Sequence, residues 1–252
     1  MKKSLGEKDV IVFDLDGTLV KSKLPLDREM ARLLAGLTGK KKVAIIGGGK
    51  LPLFRWQVLE PMEKERPMLE NLFLFPTSGA AFYRYRKGWE KVYELRMAGS
   101  EIKKVRNALK TALSRAHFEY PKKRYGILIE NRGTQVTFSA AGQLAPLSVK
   151  KEWNRESDIR PKIMKELSKL LPGFGIRAGG LTSVDVTKKG VDKGSTIKKF
   201  IKFIGAPKRS VLFIGDAIFP GGNDYAALEA GFDCLKVKNP NDTRKIIGKI
   251  LR

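Results

Sequence analysis

Residues 10–18 read Val10-Ile11-Val12-Phe13-Asp14-Leu15-Asp16-Gly17-Thr18, a short apolar run that leads directly into two aspartates and a glycine. The β-branched run predicts a strand that is buried on both faces, as in a parallel sheet. Ligands of such sheets bind beyond the carboxyl ends of the strands, which is where Asp14 and Asp16 fall. One carboxylate could attack an electrophile while the other moves a proton. Asp-Gly-Thr also suits a plain turn that caps a helix, and both explanations are open at this point.

The same alternation of buried strand and amphipathic helix continues on both sides of the middle of the chain. It predicts a doubly wound α/β sheet of Rossmann-like architecture. The first part contains predicted helices at 27–37 and 51–59 and strands at 43–46 and 72–75. The last part contains predicted helices at 193–204, 223–229 and 242–251 and strands at 211–214 and 234–237.

The middle of the chain follows a different pattern, which predicts an inserted α+β domain. Its elements are an aromatic-rich hairpin over 80–95, helices over 101–118 and 159–171, and strands at 126–130, 134–138, 174–177 and 183–186. We therefore predict a core formed by 1–82 and 187–252, and a cap domain formed by 83–186. The fold class is an α/β core with an inserted α+β cap.

Composition narrows the possible functions less than the motifs do. The chain has 252 residues, of which 42% are hydrophobic, so a folded protein is expected. The single cysteine, Cys234, excludes an intrachain disulfide framework, and no apolar run approaches the ~18 residues of a membrane span. We expect a cytoplasmic protein. The 50 Lys and Arg exceed the 26 Asp and Glu, and the resulting net charge of +24 admits nucleic acid, a membrane surface or phosphorylated metabolites as partners.

Three further motifs carry chemistry that suits a phosphate. Gly215-Asp216 and Pro220–Asp224 follow a predicted core strand, and acidic side chains at strand ends suit a hard cation such as Mg²⁺. Gly47-Gly48-Gly49 offers backbone N–H groups beside a helix start, a plausible phosphate cradle. Lys193, near the start of a helix, could neutralise a phosphate.

These motifs, in this order, resemble the haloacid dehalogenase (HAD) superfamily of aspartate-nucleophile phosphotransferases. The resemblance implies that Asp14 attacks phosphorus and that Asp16 acts as general acid and base, with Lys193 as a third catalytic residue. It implies that Mg²⁺ is held by Asp14, by the backbone carbonyl of Asp16 and by Asp216, with Asp224 supporting the metal site. It also places a small-residue phosphate site at Gly47 or Gly48.

Nearly the whole chain resembles the eukaryotic-type phosphomannomutase branch. The similarity is carried by residues 121–124, 130–132, 179–186, 192–193, 215–216, 220–224 and 242–244. It implies that Arg124 and Arg132 hold the non-reacting phosphate of a sugar phosphate, that Ser183 and Asp185 contact sugar or phosphate, and that the cap forms a homodimer. Lys23 falls where the family has a core arginine, and a lysine lacks the bidentate fork. Gln143 falls where the family has a phosphate-binding arginine, so one charge of the clamp is missing.

The Gln143 position bears on the reaction. A mutase must hold both phosphates of a bisphosphate in turn, whereas a phosphatase needs to bind only one end and admit water. Because charge-assisted bonds to phosphate are roughly twice as strong as neutral ones, the loss of an arginine favours a hydrolase, with a mutase of the isomerase class as the alternative. A nucleic-acid-binding protein on a retired enzyme scaffold is the other hypothesis, and intact Asp14, Asp16 and Lys193 argue against it. We expect a phosphorylated sugar as substrate, and neither a specific nucleic acid nor a membrane as partner.

Overall fold

The computed structural model describes residues 5–21 and 23–252. The strands within these residues are β1 (Val10–Asp14), β2 (Lys42–Ile46), β3 (Leu72–Phe75), β4 (Ala81–Tyr85), β5 (Trp89–Glu94), β6 (Ile129–Asn131), β7 (Gln135–Ser139), β8 (Phe174–Gly179), β9 (Ser183–Lys188), β10 (Val211–Gly215) and β11 (Asp233–Lys236). The α-helices are α1 (Arg28–Thr38), α2 (Leu51–Phe54), α3 (Glu60–Glu63), α4 (Gly99–Arg115), α5 (Leu147–Ser157), α6 (Arg160–Leu170), α7 (Lys193–Ile204), α8 (Tyr225–Glu229) and α9 (Pro240–Leu251).

The chain divides into two compact units. The core unit consists of the chain up to Glu94 together with Asp192–Arg252, and the cap unit is Leu95–Val191. Both boundaries lie later than we predicted, since the cap was expected to begin at residue 83 and the core to resume at 187. The insertion of one α+β unit into an α/β core, which the sequence predicted, is confirmed.

The core unit is built on a seven-stranded sheet in the order β11-β10-β1-β2-β3-β4-β5. The five strands from β11 to β3 are parallel, and β4 and β5 are antiparallel. β1 lies in the middle of the parallel part, with β10 on one side and β2 on the other. The carboxyl ends of β1 and β10 are therefore neighbours, which brings the Asp14 turn next to the loop that begins at Asp216.

Helices cover both faces of the parallel strands, which explains why these strands are apolar throughout. Ile11 and Phe13 of β1 face a cluster that includes Leu34 of α1 and Ile247 of α9. Val10 and Val12 belong to the cluster on the opposite face, where α7 and α8 contribute residues such as Phe200 and Ala227. A strand between two helical layers has no solvent face and so no polar alternation.

The aromatic hairpin β4–β5 belongs to the core sheet and not to the cap. Leu74 and Phe73 of β3 pair with Tyr83 and Arg84 of β4. The Phe82 ring stacks on Phe75 with ring centroids 4.4 Å apart. Because these contacts anchor the hairpin to β3, the chain leaves the core only after Glu94, and the predicted boundary at 82/83 is wrong.

The cap unit is an antiparallel sheet in the order β6-β7-β9-β8 with helices on one face. Val136 and Phe138 of β7 and Val184 and Val186 of β9 pack against α4 and α6, and the alternate residues of the same strands are polar. β9 continues to Lys188, which is why the core resumes only at Asp192. Helix α5 was not predicted, and the strand predicted over 126–130 forms only at Ile129–Asn131. Among the described helices, none is long and apolar enough to cross a membrane.

Candidate active site

Asp14 and Asp16 lie at the carboxyl end of β1, and a tight turn with a glycine at position 17 follows them. Asp14 is the last residue of β1 and is 5% exposed. Gly17 has φ +94°, and a Cβ at this position would collide with the Asp216 carboxylate. The Gly17 N–H donates to the Val20 carbonyl at 2.7 Å, which closes the turn. The turn therefore brings Asp216 against the loop that carries both aspartates.

Lys193 reaches this edge of the sheet from the first residue of α7. Asp192 caps the helix, since its carboxylate accepts the Ser195 N–H at 2.7 Å. The Lys193 ammonium is buried; it donates to Asp14 Oδ1 at 2.5 Å and also to Asp224 Oδ1. Burial alone would lower the pKa of Lys193, but the charges of Asp14 and Asp224 outweigh burial and raise it above the ordinary value. Lys193 is thus a fixed positive charge between two carboxylates.

Three carboxylates meet around this ammonium. Oxygen atoms of Asp14, Asp216 and Asp224 all lie within 4.8 Å of one another. Asp224 is fully buried, and its Oδ2 accepts the Ala217 N–H at 2.9 Å. Burial raises the pKa of Asp14 well above its ordinary value, with the charges of Asp224 and Asp216 acting in the same direction and Lys193 opposing them. Burial, followed by the charge of Asp224, raises the pKa of Asp216 to about 6.

This cluster fits a divalent cation. Its donors are carboxylate oxygens, the ligands that Mg²⁺ prefers, and one ammonium does not balance three negative charges. Burial is the main cause of the raised pKa values of Asp14 and Asp216, and the charges of the neighbouring carboxylates add to it. The cluster includes three of the four predicted metal-site residues. The fourth, Asp16, was assigned through its backbone carbonyl, and its carboxylate is engaged elsewhere.

The Asp16 carboxylate is contacted by the Lys23 backbone and, at longer distance, by a side chain of a distorted helix. Its Oδ1 accepts the Lys23 N–H at 2.5 Å and lies 3.4 Å from Nε2 of Gln57, which also donates to the Leu24 carbonyl at 3.1 Å. Gln57 lies in a π-helical turn, Arg55–Leu59, between α2 and α3. Pro61 has no N–H to donate to the Gln57 carbonyl, which instead accepts the Leu26 N–H at 2.8 Å. The π turn therefore ties the helix to the loop around Asp16.

The sheet of the cap unit has a polar face opposite its helices. Arg132 makes two contacts of 2.8 Å with Glu130 Oε2, through Nε and through an Nη atom. Thr137 donates to Asp185 Oδ1 at 2.7 Å, and the hydroxyls of Ser139 and Ser183 lie 3.0 Å apart. Burial raises the pKa of Asp185, while the nearby charge of Arg132 opposes the shift. Three of the predicted cap residues are thus brought to this face: Ser183 and Asp185 lie on β9, and Arg132, which follows β6, contacts Glu130 of that strand.

The fold is shared with solved structures of low sequence similarity. A C-terminally truncated IMP-nucleotidase of Plasmodium falciparum matches with a TM-score of 0.74 at 16% identity, over 99% of this chain and 73% of that one. The sucrose-phosphatase of Synechocystis matches with a TM-score of 0.56 at 16% identity, over 92% of this chain and 83% of that one. At this identity the likeness shows the HAD fold alone, and that fold is the one the sequence predicted.

A family model described as eukaryotic phosphomannomutase matches residues 30–252, which include the whole cap and the second part of the core. The chain belongs to the eukaryotic phosphomannomutase family. The phosphomannomutase of Saccharomyces cerevisiae is 28% identical over 96% of this chain and 93% of its own length. Human phosphomannomutase 1 is 26% identical over 87% of this chain and 82% of its own length. The yeast alignment is long enough to extend beyond the part that the family model matches.

The remaining predicted residues of this family member lie in loops. Lys23 adopts a left-handed backbone conformation, φ 54°, and its N–H serves Asp16. Arg124 is exposed and lies over the Tyr120 ring, 5.4 Å from its centroid. The backbone N–H of Gln143 donates to the Ile127 carbonyl at 3.2 Å. The structure brings the segments around Arg124 and Gln143 together, because the Tyr125 N–H donates to the Ala141 carbonyl at 3.0 Å.

One of the backbone N–H groups predicted to cradle a phosphate, that of Gly47, is already hydrogen-bonded within the core sheet. The Gly47 N–H donates to the Phe75 carbonyl at 3.2 Å, and the Gly47 carbonyl accepts the Ser78 N–H at 2.8 Å. A Cβ at Gly47 would lie 3.0 Å from the Phe54 ring, so the glycine permits close packing of α2. The prediction of an available N–H at Gly47 is wrong, because parallel pairing extends one residue beyond β2. The prediction for Gly48 stays a prediction.

Sequence reasoning missed Gln57. This side chain is fully buried and links Asp16 to the Leu24 carbonyl. A signal was present in the sequence. Gln57 lies between the apolar Phe54 and Val58 in the helix predicted over 51–59, and Pro61 follows shortly after that helix. A polar residue on an apolar helix face needs a partner, and here the partners are Asp16 and the Leu24 carbonyl.

Proposed function

We propose that this chain is an Mg²⁺-dependent phosphohexomutase that transfers a phosphoryl group between the 1- and 6-positions of a hexose through an aspartyl-phosphate. The observation that carries the proposal is the buried Asp14, held by Lys193 and flanked by Asp216 and Asp224. Membership of the phosphomannomutase family supports the choice of a sugar phosphate, with mannose as the first sugar to test.

Asp14 is the nucleophile in this proposal. Its carboxylate oxygen attacks phosphorus, a new O–P bond forms, and the bond from phosphorus to the sugar oxygen breaks. Burial favours the protonated form of Asp14, which cannot attack, and the ammonium 2.5 Å away favours the ionised form. Lys193 therefore favours the ionised form of the nucleophile and directs one of its oxygens, leaving the other for the substrate.

Asp16 moves the proton in the same proposal. As the sugar oxygen leaves, Asp16 donates a proton to it, and in the second half-reaction Asp16 takes the proton of the attacking hydroxyl. One carboxyl can serve both steps because the second is the reverse of the first. The Lys23 N–H and Gln57 direct one oxygen, Oδ1, so the other is the oxygen that carries the proton.

The metal is assigned to Asp14, Asp216 and Asp224, together with the backbone carbonyl of Asp16. A bound Mg²⁺ would offset negative charge on the phosphoryl oxygens, the main electrostatic task in this reaction. The chain's own contribution is to keep three carboxylates close together and mostly out of water, with Asp224 oriented by the Ala217 N–H.

The second nucleophile separates a mutase from a hydrolase. The missing arginine at Gln143 favoured a hydrolase, but relatives in yeast and human that cover most of the chain carry the name phosphomannomutase. These names support the mutase, in which a sugar hydroxyl and not water attacks the aspartyl-phosphate. The polar face with Arg132, Ser183 and Asp185 supplies groups that could hold the sugar and its non-reacting phosphate.

The test is incubation with mannose 1-phosphate and with glucose 1-phosphate, each with Mg²⁺ and with or without a hexose 1,6-bisphosphate. Hexose 6-phosphate and free phosphate are measured together. A mutase forms hexose 6-phosphate faster than phosphate and is activated by the bisphosphate, whereas a hydrolase releases phosphate as its main product. Glu229→Gln, an exposed change on α8, serves as the control for Asp14→Asn. If neither product forms, or if Asp14→Asn keeps full activity, the proposal is wrong.

The family resemblance also carries a quaternary proposal, a homodimer formed through the cap. Light scattering of the full chain and of a variant with charged residues introduced on the cap would measure the oligomeric state. A monomer at micromolar concentration would contradict the dimer and leave the catalytic proposal untouched.

A further inference from the structure

Strand β8 places a single side chain on the polar face of the cap sheet. Arg177 pairs directly with Asp185 of β9, so the two side chains project from the same face. The residues of β8 that share this face with Arg177 are Gly175 and Gly179, which have no side chain. A Cβ at Gly179 would approach Asp185 Oδ2 to 2.5 Å, so the carboxylate lies over the strand beside Arg177. The Arg177 Nε atom is shielded from solvent.

The polar face carries a balance of charges that a phosphate would disturb. Glu130 and Asp185 are negative, and Arg132 is already bonded to Glu130 through two nitrogens at 2.8 Å. Arg132 and Thr137 also stabilise the ionised form of Asp185. A phosphate dianion near these two carboxylates needs cations beyond Arg132. The family resemblance would supply two of them: Arg124 is present in an exposed loop, and position 143 is a glutamine here.

Arg177 lies where such a cation can act. Ser183 pairs with Gly179, two residues along β8 from Arg177, so Ser183 and Arg177 are diagonal neighbours on the same face. Diagonal neighbours are about 7–8 Å apart, within reach of a long side chain. Ser183 in turn contacts Ser139, which places two hydroxyl donors beside the space that an extended Arg177 could enter. A guanidinium offers the bidentate geometry that suits phosphate.

We propose that Arg177 binds the non-reacting phosphate of the sugar phosphate, supplying from β8 the positive charge that the family resemblance places at position 143. The inference rests on the proposed function, since it concerns the same substrate. It assigns a substrate-binding role to a residue outside the motifs, and it removes the objection that Gln143 raises against a mutase.

The test measures binding of glucose 1,6-bisphosphate by calorimetry, together with kcat and KM for the hexose 1-phosphate. Loss of a charged hydrogen-bond donor to a dianion typically corresponds to about a tenfold to a hundredfold weaker binding. Arg177→Gln should raise the Kd for the bisphosphate by that factor. Arg177→Lys keeps the charge without the bidentate geometry, so its Kd for the bisphosphate should lie between those of Arg177→Gln and the wild type. Lys110→Gln, which removes one exposed charge from α4, is the matched control and should bind normally.

A charge exchange separates substrate binding from a merely structural pairing with Asp185. In the double variant Arg177→Gln with Gln143→Arg, the charge returns at the family position, and bisphosphate affinity should recover by at least threefold over Arg177→Gln alone. If Arg177 only balanced Asp185, the exchange would not restore affinity, and Arg177→Gln would lower the unfolding temperature. If Arg177→Gln misfolds, the same comparison is made between Arg177→Lys alone and the double variant Arg177→Lys with Gln143→Arg.

Each outcome bears on one of the two proposals. Wild-type affinity in Arg177→Gln overturns the role of Arg177 and leaves the proposed function standing. A loss of affinity that neither Arg177→Lys nor Gln143→Arg restores also overturns it. A wild-type protein that binds no hexose bisphosphate contradicts the proposed function itself, and the role of Arg177 falls with it.

Discussion

Replacing Asp216 by asparagine should abolish metal-dependent activity and stabilise the metal-free protein. Asp216 lies in the cluster with Asp14 and Asp224, where burial and the Asp224 charge raise its pKa from 3.8 to about 6. At neutral pH Asp216 is therefore ionised in the folded protein, although the fold would be more stable with this carboxyl in its neutral form. At 1.36 kcal/mol per tenfold change in proton affinity, the shift corresponds to about 3 kcal/mol. Because Asp216 is partly exposed, we expect a gain of roughly 1–3 kcal/mol.

The raised pKa of Asp216 also predicts how the stability of the metal-free protein depends on pH. A carboxyl whose folded pKa lies above its unfolded pKa binds more protons in the folded state between the two values, so stability falls as pH rises through that window. Urea unfolding of the wild type in EDTA should therefore show a decreasing free energy of unfolding from about pH 4 to pH 6, as set by the pKa of Asp216. In Asp216→Asn this decrease should be smaller, and the two proteins should differ most above pH 6.

Magnesium should reverse the order of stability. A ligand that binds only the folded state at a hundred times its Kd adds about 2.7 kcal/mol. Saturating Mg²⁺ at pH 7.5 should therefore stabilise the wild type and leave Asp216→Asn almost unchanged. Glu229→Gln makes the same change of charge at an exposed site and should respond to Mg²⁺ as the wild type does. The reasoning is refuted if Asp216→Asn is less stable than the wild type in EDTA, or if Mg²⁺ stabilises both equally.

Three further substitutions test the contacts of the site. Lys193→Ala leaves the buried Asp14 and Asp224 without their shared cation, so urea unfolding should show a loss of about 3–5 kcal/mol, and activity should vanish. Gly17→Ala adds a Cβ at φ +94° against a carboxylate, and it should lower the free energy of unfolding by about 1–3 kcal/mol and kcat with it. Gln57→Leu removes the donor near Asp16; it should lower kcat more than it raises KM and shift the pH profile, whereas unchanged profiles would exclude a positioning role for Gln57.

The core could be predicted from the sequence because its decisive features are local. Val10–Phe13 and Val211–Ile214 are apolar at every position, so each indicates a buried strand without knowledge of its partner. Asp14 and Asp216 follow these runs directly, and the rule that parallel strands present their carboxyl ends together places both at one edge. The structure brings them within one cluster, together with Asp224 and Lys193. The strands could be predicted because burial makes them apolar throughout, and the position of the aspartates could be predicted because they follow the strands directly in the sequence.

The parts that could not be predicted depend on pairing between distant segments. The aromatic hairpin β4–β5 has the composition of either unit, and only the register of Tyr83 on Leu74 assigns it to the core. The Gly47 N–H donates to the Phe75 carbonyl of a neighbouring strand, and a run of glycines in the sequence does not reveal this bond. Arg177 reads as one basic residue among 50 until its pairing with Asp185 is known. Strand register sets these contacts, and it is a property of the whole sheet.

The charge of the site is opposite to the charge of the chain. The chain carries a net charge of +24, yet the carboxylate cluster sets the ammonium of Lys193 against the carboxylates of Asp14, Asp216 and Asp224. Such a cluster repels a phosphate unless a divalent cation joins it, so the basic surface cannot replace the metal in the proposed reaction. The electrostatic potential of surface charges is screened over about 8 Å at physiological salt, and these charges can steer an anionic substrate toward the protein. In the proposed reaction, binding of the phosphate that does not react would depend on cations fixed in the cap, where Arg132 is bonded to Glu130 and Arg177 pairs with Asp185. Under the proposed function, the excess of lysine and arginine does not select the substrate; a few cations held at defined positions do.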